Sequence, residues 1–112
     1  MNVSYEGIGY LAATFPAGSC VAGQLCKLGV LGMSDKCSDG EAFCGLVEAV
    51  EHQRAAVQIA GFAEVSYTGS APSRGYAKLS SNGKGGVKVD SAGKEYLVAE
   101  IDTDRSVITI KL

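Results

Sequence analysis

Alternating apolar and polar residues in the last eighteen positions predict a C-terminal β-hairpin with residues 102–105 as its loop. In the predicted register the aliphatic side chains of both strands meet on one face, in the pairs Ile101/Ser106, Ala99/Ile108 and Leu97/Ile110. The other face carries the pairs Glu100/Val107, Val98/Thr109 and Tyr96/Lys111. Because a slip of one residue would turn every side chain to the opposite face, we expect Ile108 and Ile110 to lie in a core.

Short apolar or alternating segments, bounded by turn-forming residues, recur along the rest of the chain. The predicted strands are residues 8–15, 25–30, 43–50, 55–67, 76–80 and 87–90. The first of these is apolar on both faces, as in a buried strand, whereas residues 34–40 are polar and predict a turn. This spacing predicts an all-β fold, a small single-domain barrel or sandwich of short antiparallel strands, and we detect no internal repeat.

Residues 41–65 contain two competing periodicities. Apolar residues fall at helical spacing over residues 41–57, whereas residues 57–67 alternate with a period of two. Gly45 and Gly61 each disfavour a helix interior by about 1 kcal/mol relative to Ala. We therefore predict two strands joined near residues 51–53 and keep a short helix over residues 41–53 as the alternative.

Length and composition predict one domain that contacts neither a membrane nor nucleic acid. The chain has 112 residues, of which 46% are hydrophobic, and its net charge is −2. We assign residues 8–112 to a single β domain and the polar residues 1–7 to a flexible N-terminal arm. Lysine and arginine are spread along the chain instead of forming a basic patch, and no apolar stretch reaches the length of a membrane span.

The four cysteines lack the spacing of a metal site. Zinc sites commonly begin with two cysteines two to four residues apart, whereas five, ten and six residues here separate Cys20, Cys26, Cys37 and Cys44. Because no signal peptide is recognised, we expect the cysteines to be free thiols in a reducing compartment. We predict no metal and no cofactor and expect the thiols to pack as small hydrophobic groups. A Cys20–Cys26 disulfide is the alternative under oxidising conditions.

The remaining candidates for catalysis lie in predicted turns. A catalytic thiol at Cys44 would need His52, the only histidine, as its base, held in place by an acid such as Glu51. The sequence around His52 instead predicts an exposed turn, which offers no water-excluded site. Asp102 lies at the hairpin loop, where Asp favours local hydrogen bonds. The glycine-rich residues 83–86 contain a lysine but lack the Ser or Thr and the helix of a phosphate-binding loop. The sequence therefore predicts no enzyme.

Several sequence blocks follow one another in an order that is typical of one protein family. Val21–Gly29 follows an apolar strand and a Pro-Ala-Gly turn, and Ala56–Val65 leads through a loop into Gly75–Leu79. The turn Asn82–Gly86 and the terminal strand Val107–Leu112 complete the order. In this order the chain resembles the small capsid decoration, or cement, proteins of tailed bacteriophages and prophages.

The resemblance implies a non-enzymatic protein of the virion that is made in the bacterial cytoplasm and binds the major capsid protein as a homotrimer. Its β body would clamp neighbouring capsid subunits against the pressure of packaged DNA, and three modest contacts in one trimer would act as one strong attachment. The competing interpretation is a small ligand- or carbohydrate-binding β module, for which a chain without Trp offers few aromatic platforms.

Two groups of residues are candidates for the contacts of such a role. The polar N-terminal segment contains the apolar residues Val3, Tyr5 and Ile8. We predict that this segment is a capsid-docking arm that adds a strand to a sheet of the capsid protein. A frayed terminus is the alternative for this segment. The second face of the predicted hairpin contains Tyr96, Val98 and Val107. That face is too apolar for full exposure, so we predict either a second core layer or a subunit interface.

Overall fold

The structure, a computed structural model, describes residues 9–112. Within this range the chain forms two five-stranded antiparallel sheets that pack as a compact domain, so the all-β prediction is confirmed. The strands are β1 (Leu11–Pro16), β2 (Leu25–Leu28), β3 (Ser34–Lys36), β4 (Gly45–Glu51), β5 (Arg54–Ala60), β6 (Phe62–Ser66), β7 (Gly75–Ser81), β8 (Val87–Val89), β9 (Lys94–Asp102) and β10 (Val107–Lys111). The described residues contain no helix long and apolar enough to cross a membrane.

The two sheets have the same strand topology. The first has the order β1-β5-β4-β2-β3 and the second the order β6-β10-β9-β7-β8, which is the same order five strands later. In each sheet one isolated parallel bridge connects the two edge strands, between Ala17 and Ser34 and between Tyr67 and Val87. Each sheet is therefore curled so that its edges meet. The chain therefore repeats one strand topology, although its sequence shows no internal repeat.

One hairpin in each sheet, β4–β5 and β9–β10, also has the same irregularity in its strand pairing. One residue of β4, Glu48, and one residue of β9, Ala99, form bulges against the following strand. The residue pairs directly before the bulges are Val47/Val57 and Val98/Ile110. All four of these side chains are 0% exposed. The two halves thus bury equivalent positions although their sequences differ.

The predicted register of the C-terminal hairpin is corrected in two places, because the loop is residues 103–106, one position later than predicted, and because Ala99 forms a bulge. The observed pairs are Val107/Asp102, Ile108/Ile101, Thr109/Glu100, Ile110/Val98 and Lys111/Leu97. Because a bulge shifts the alternation by one position, Val98 faces the core together with Ile110, and Leu97 does not. Ile108 and Ile110 are buried as predicted.

The described residues also correct four smaller predictions. Residues 41–53 contain β4, so the helix alternative is wrong. Strand β1 is an exposed edge strand and is not buried on both faces. The predicted turn 34–40 begins with β3, and the predicted strand 55–67 is divided at Gly61. Gly61 has a φ of 91°, and a Cβ there would lie 2.9 Å from the Tyr10 Cα, so glycine is required where the chain passes between the sheets.

Each sheet encloses its own group of buried side chains. The smaller cluster, inside the first sheet, consists of Cys20, Cys26, Val47, Ala55 and Val57. The larger cluster belongs mainly to the second sheet but includes Leu25 of β2 and Phe43 before β4. The ring of Phe43 stacks on that of Tyr96 with centroids 4.9 Å apart. These shared contacts hold the two halves together.

Candidate functional site

The β2–β3 hairpin ends in an exposed apolar turn. Leu28 is 46% exposed, Val30 104% and Leu31 80%. The Gly32 N–H donates to the Gly29 carbonyl at 2.9 Å, and Gly32 has a φ of 74°, which glycine adopts without strain. The closed turn therefore holds two aliphatic side chains in solvent. We call Leu28, Val30 and Leu31 the apolar tip.

An ion pair braces the strand that carries the apolar tip. Lys27 Nζ lies 2.8 Å from a carboxylate oxygen of Glu41, and Glu41 also accepts the Ser38 N–H at 2.7 Å. The hydrogen bond from Lys27 and that from Ser38 lower the pKa of Glu41 to about 2. The segment that follows β3 is thereby fastened to β2.

The apolar tip was not recognised from the sequence because residues 25–30 were predicted as one strand. The informative signal is the pair Gly29 and Gly32, which brackets two aliphatic residues and can close a tight turn. Two large hydrophobic side chains between turn glycines have no strand neighbours to cover them.

The predicted docking-arm residues Val3, Tyr5 and Ile8 lie outside the described residues, so the arm stays a prediction. The described chain enters β1 through Tyr10 and Leu11, which are 48% and 55% exposed. The Tyr10 hydroxyl donates to the Glu48 carboxylate, which lies at the bulge of β4. Because β1 is an edge strand of the first sheet, its outer edge joins another strand only at the single bridge after Pro16.

The three residues of the predicted second hairpin face have separate locations. Tyr96 is 6% exposed and Val98 0%, and both belong to the larger core cluster, which corresponds to the core-layer alternative. Val107 is half-buried at the start of β10, opposite Asp102 and Ser66. A subunit contact through Val107 stays a prediction.

Two of the four thiols lie close together on neighbouring strands. The Sγ atoms of Cys26 and Cys44 are 4.0 Å apart. Cys26 is 0% exposed in β2, whereas Cys44, directly before β4, is exposed. Sequence spacing did not reveal this pair, because only the β2–β4 register aligns Cys26 with Gly45.

The environment of the pair separates the acidities of its two thiols. A hydrogen bond from the Cys26 S–H lowers the pKa of Cys44 to about 7. Partial desolvation of Cys44 opposes this shift, and backbone hydrogen bonds of Cys44 and Leu28 add to it. The same hydrogen bond and burial raise the pKa of Cys26. We assign the charge to Cys44 because an exposed thiolate keeps most of its hydration.

The other two thiols are buried packing groups. Cys20 is 2% exposed and its Sγ lies 3.4 Å from the Leu25 carbonyl oxygen, while Cys37 is 3% exposed. Desolvation raises the pKa of both thiols. Across residues 9–112 no three His, Cys, Asp or Glu side chains are arranged to hold a metal ion.

The side chains of His52 and Cys44, which were considered for catalysis and not predicted to be catalytic, lie far apart. His52 is exposed in the β4–β5 turn, as predicted, and Cys44 precedes the same strand at its other end. Eight residues of extended chain separate the two side chains by roughly 25 Å. This distance excludes an imidazole–thiol pair between them.

The acidic and glycine-rich turns have local structural roles. Asp102 accepts the Asp104 N–H at 3.0 Å and the Arg105 Nε at 3.0 Å, and these bonds contribute to lowering its pKa. In the glycine-rich loop, Asn82 Oδ1 accepts the backbone N–H groups of Lys84 at 2.8 Å and Gly86 at 3.1 Å. Asn82 thus already engages two of the backbone donors of this loop, and the Gly83 N–H donates to Ser81 Oγ at 3.1 Å.

A shallow depression on the second sheet contains the most exposed tyrosine of the described residues. Tyr76 is 70% exposed and borders a concavity of about 240 Å³ with Lys94, Glu95 and Leu97. This volume is below the range of roughly 300–1,000 Å³ that is typical of small-molecule sites.

Comparisons with protein-family models, curated proteins and solved structures found no match to this chain.

Proposed function

We propose that this protein is a non-enzymatic decoration protein that binds the major capsid protein on the surface of a tailed phage or prophage capsid and clamps neighbouring subunits. The observation that carries the proposal is the apolar tip, in which Val30 and Leu31 are held in solvent on a hydrogen-bonded hairpin. Exposed apolar groups fixed in one conformation are suited to docking on another protein.

The apolar tip supplies a contact of useful strength. Complete burial of an aliphatic side chain contributes about 1.5–3 kcal/mol, so Val30 and Leu31 together give a modest contact in one chain. Three such contacts in a homotrimer would act as one attachment, because the second and third bind at high effective concentration. The predicted N-terminal arm with Val3, Tyr5 and Ile8 would add a second contact.

The chemistry of the described residues supports a structural role over catalysis. The thiol of Cys44 and the imidazole of His52 are at opposite ends of β4, and the carboxylate of Asp102 is engaged in its own turn. A clamp on a capsid requires only a stable body and exposed contact residues.

A ligand- or carbohydrate-binding module is the second candidate, favoured by the exposed ring of Tyr76 in its depression. Sugars stack on exposed aromatic faces. Retention of the protein on immobilised oligosaccharides, lost in Tyr76→Ser, would support this candidate; absence of retention would count against it.

The first test of the capsid role is to sequence the DNA that flanks the gene in its source genome. Genes for a portal, a maturation protease and a major capsid protein beside it are the expected result. Neighbouring genes for metabolism or secretion would contradict the capsid role.

A further inference from the structure

We propose that Cys26 and Cys44 form a reversible disulfide, in which Cys44 reacts with a low-molecular-weight disulfide and Cys26 then displaces the small thiol from Cys44. The site is independent of the proposed capsid role. It is defined by a buried thiol in β2 and an exposed thiol directly before the adjacent strand β4.

The backbone already holds the two residues at a suitable separation. The Cys44 N–H donates to the Cys26 carbonyl at 2.8 Å, and Cys26 is paired with Gly45 in the β2–β4 register. The Sγ atoms are 4.0 Å apart. A disulfide requires about 2.05 Å, so the atoms must approach by about 2 Å, a movement that side-chain rotation can supply.

The exposure of the thiols decides the order of the two steps. Cys44 is exposed, whereas Cys26, Cys20 and Cys37 are at most 3% exposed. An oxidant in solution therefore reaches Cys44 first. The lowered pKa of Cys44 supports this order, since the thiolate is the nucleophile in thiol–disulfide exchange.

The exchange balances in two steps. The Cys44 thiolate attacks one sulfur of the small disulfide, whose S–S bond breaks, and one half leaves as a thiolate. Cys26 then gives up its proton and attacks Cys44 Sγ, and the second half leaves as a thiol after taking that proton. The two cysteines lose two electrons in total, and the small disulfide is reduced to one thiol and one thiolate. That thiolate takes up from water the proton that Cys44 released on ionising.

The cross-link would reinforce a weak point of the first sheet. The β2–β4 ladder has only two residue pairs, Leu25/Leu46 and Cys26/Gly45, fewer than any other ladder in that sheet. The disulfide would connect positions 18 apart in sequence and close the segment that carries the apolar tip. Closing a loop of this length is expected to raise Tm by roughly 10 °C.

The test uses glutathione disulfide as the oxidant on the reduced full-length protein. Remaining thiols are blocked with N-ethylmaleimide, and the protein is digested with trypsin and a Glu-specific protease, which separates Cys37 from Cys44. Cys20 and Cys26 stay in one peptide, and fragmentation of that peptide in the mass spectrometer shows which of the two carries N-ethylmaleimide. The expected product is a cross-link between the Cys26 and Cys44 peptides that dithiothreitol reverses, with the roughly 10 °C rise in Tm.

Single variants separate the roles of the thiols. Cys26→Ala should accumulate glutathione on Cys44, because the resolving thiol is missing, and Cys44→Ser should give neither adduct nor cross-link. Cys20→Ala and Cys37→Ala are the matched controls, and the cross-link should form in both. Circular dichroism confirms that each variant is folded, and the cross-link map of the wild-type protein does not depend on any variant.

Three results would overturn the proposal. These are a cross-link that disappears in Cys20→Ala, a wild-type protein that stops at glutathionylated Cys44, and a native protein in which Cys44 does not react.

Discussion

At the scale of single residues, the chemistry of this protein depends on which side chains the register brings together. The exposed Cys44 acquires its low pKa from a hydrogen bond with the buried Cys26 thiol, and Glu41 acquires its low pKa from Lys27 and Ser38. Neither pair has a recognisable sequence spacing. Both depend on strand pairing in the first sheet, so they could not be predicted from composition or motif.

The pKa of Cys44 gives a direct prediction for its alkylation. In the native reduced protein we expect Cys44 to be the first thiol modified by iodoacetamide, with the rate half-maximal near pH 7, because the thiolate is the reactive form. Cys26→Ala removes the hydrogen bond and should move this midpoint to higher pH. Peptide mass mapping at a series of pH values measures both. A midpoint near that of an ordinary thiol in the wild-type protein would contradict the assigned charge.

The ion pair of Glu41 predicts a pH-dependent effect on stability. The pKa of Glu41 is lowered from 4.5 to about 2 on folding, so its contribution is complete above the unfolded value and is lost as the pH falls through the folded value. Glu41→Gln should therefore lower Tm by a few degrees at pH 7, and the gap to wild type should close between pH 4.5 and 2. Glu95→Gln, a change at an exposed carboxylate of β9, is the matched control. A gap that stays constant down to pH 2 would exclude this origin.

At the scale of elements, the bulges decide which residues enter the core. The sequence alternation of residues 95–112 predicted a hairpin correctly, and also the burial of Ile108 and Ile110. It placed Leu97 and Ala99 on the face of Ile108 and Ile110 and placed Val98 on the opposite face, because a bulge leaves no mark in the apolar pattern until the partner strand is known. The edge position of β1 was missed for a related reason, since an apolar strand has the same sequence in the centre and at the edge of a sheet.

Two substitutions distinguish the observed hairpin register from the one that alternation alone predicts. Val98→Asp places an unpaired charge at a position that is 0% exposed and should cost more than about 4 kcal/mol, enough to unfold the domain. Leu97→Asp, at a half-buried position beside the Tyr76 depression, should leave it folded. Urea unfolding followed by circular dichroism measures both variants. The reverse outcome would restore the register without a bulge.

At the scale of the whole molecule, the fold is one five-stranded topology used twice in a single chain. The hairpins β4–β5 and β9–β10 bury equivalent residues, but the exposed features of the halves differ. The apolar tip and the Cys26–Cys44 pair belong to the first half. The connection that corresponds to the tip in the second half, residues 82–86 between β7 and β8, is the glycine-rich loop and contains no aliphatic side chain. The proposed capsid contact and the proposed disulfide therefore both lie in the first half, whereas Val107, the position proposed for subunit contact, lies in the second.

The proposed homotrimer predicts the mass of the protein in solution. Sedimentation equilibrium should give three times the 11.5 kDa mass of the chain. Val107→Asp, at the half-buried position proposed for subunit contact, should shift the mass towards the monomer while circular dichroism stays unchanged. A wild-type mass of 11.5 kDa across the micromolar range would exclude the trimer in solution.

Cosedimentation with capsids tests the capsid-binding claim most directly. The capsids are assembled from the major capsid protein that we expect to be encoded beside this gene, and wild-type protein is compared with the double variant Val30→Ser/Leu31→Ser. The double variant Val50→Ser/Val89→Ser, which removes two other exposed valines, is the matched control. We expect saturable cosedimentation of the wild-type and control proteins and at least a tenfold weaker binding of the tip variant, since about 1.4 kcal/mol already corresponds to a factor of ten. Failure of the wild-type protein to cosediment, or equal binding by the tip variant, would contradict a decoration protein that docks through its apolar tip.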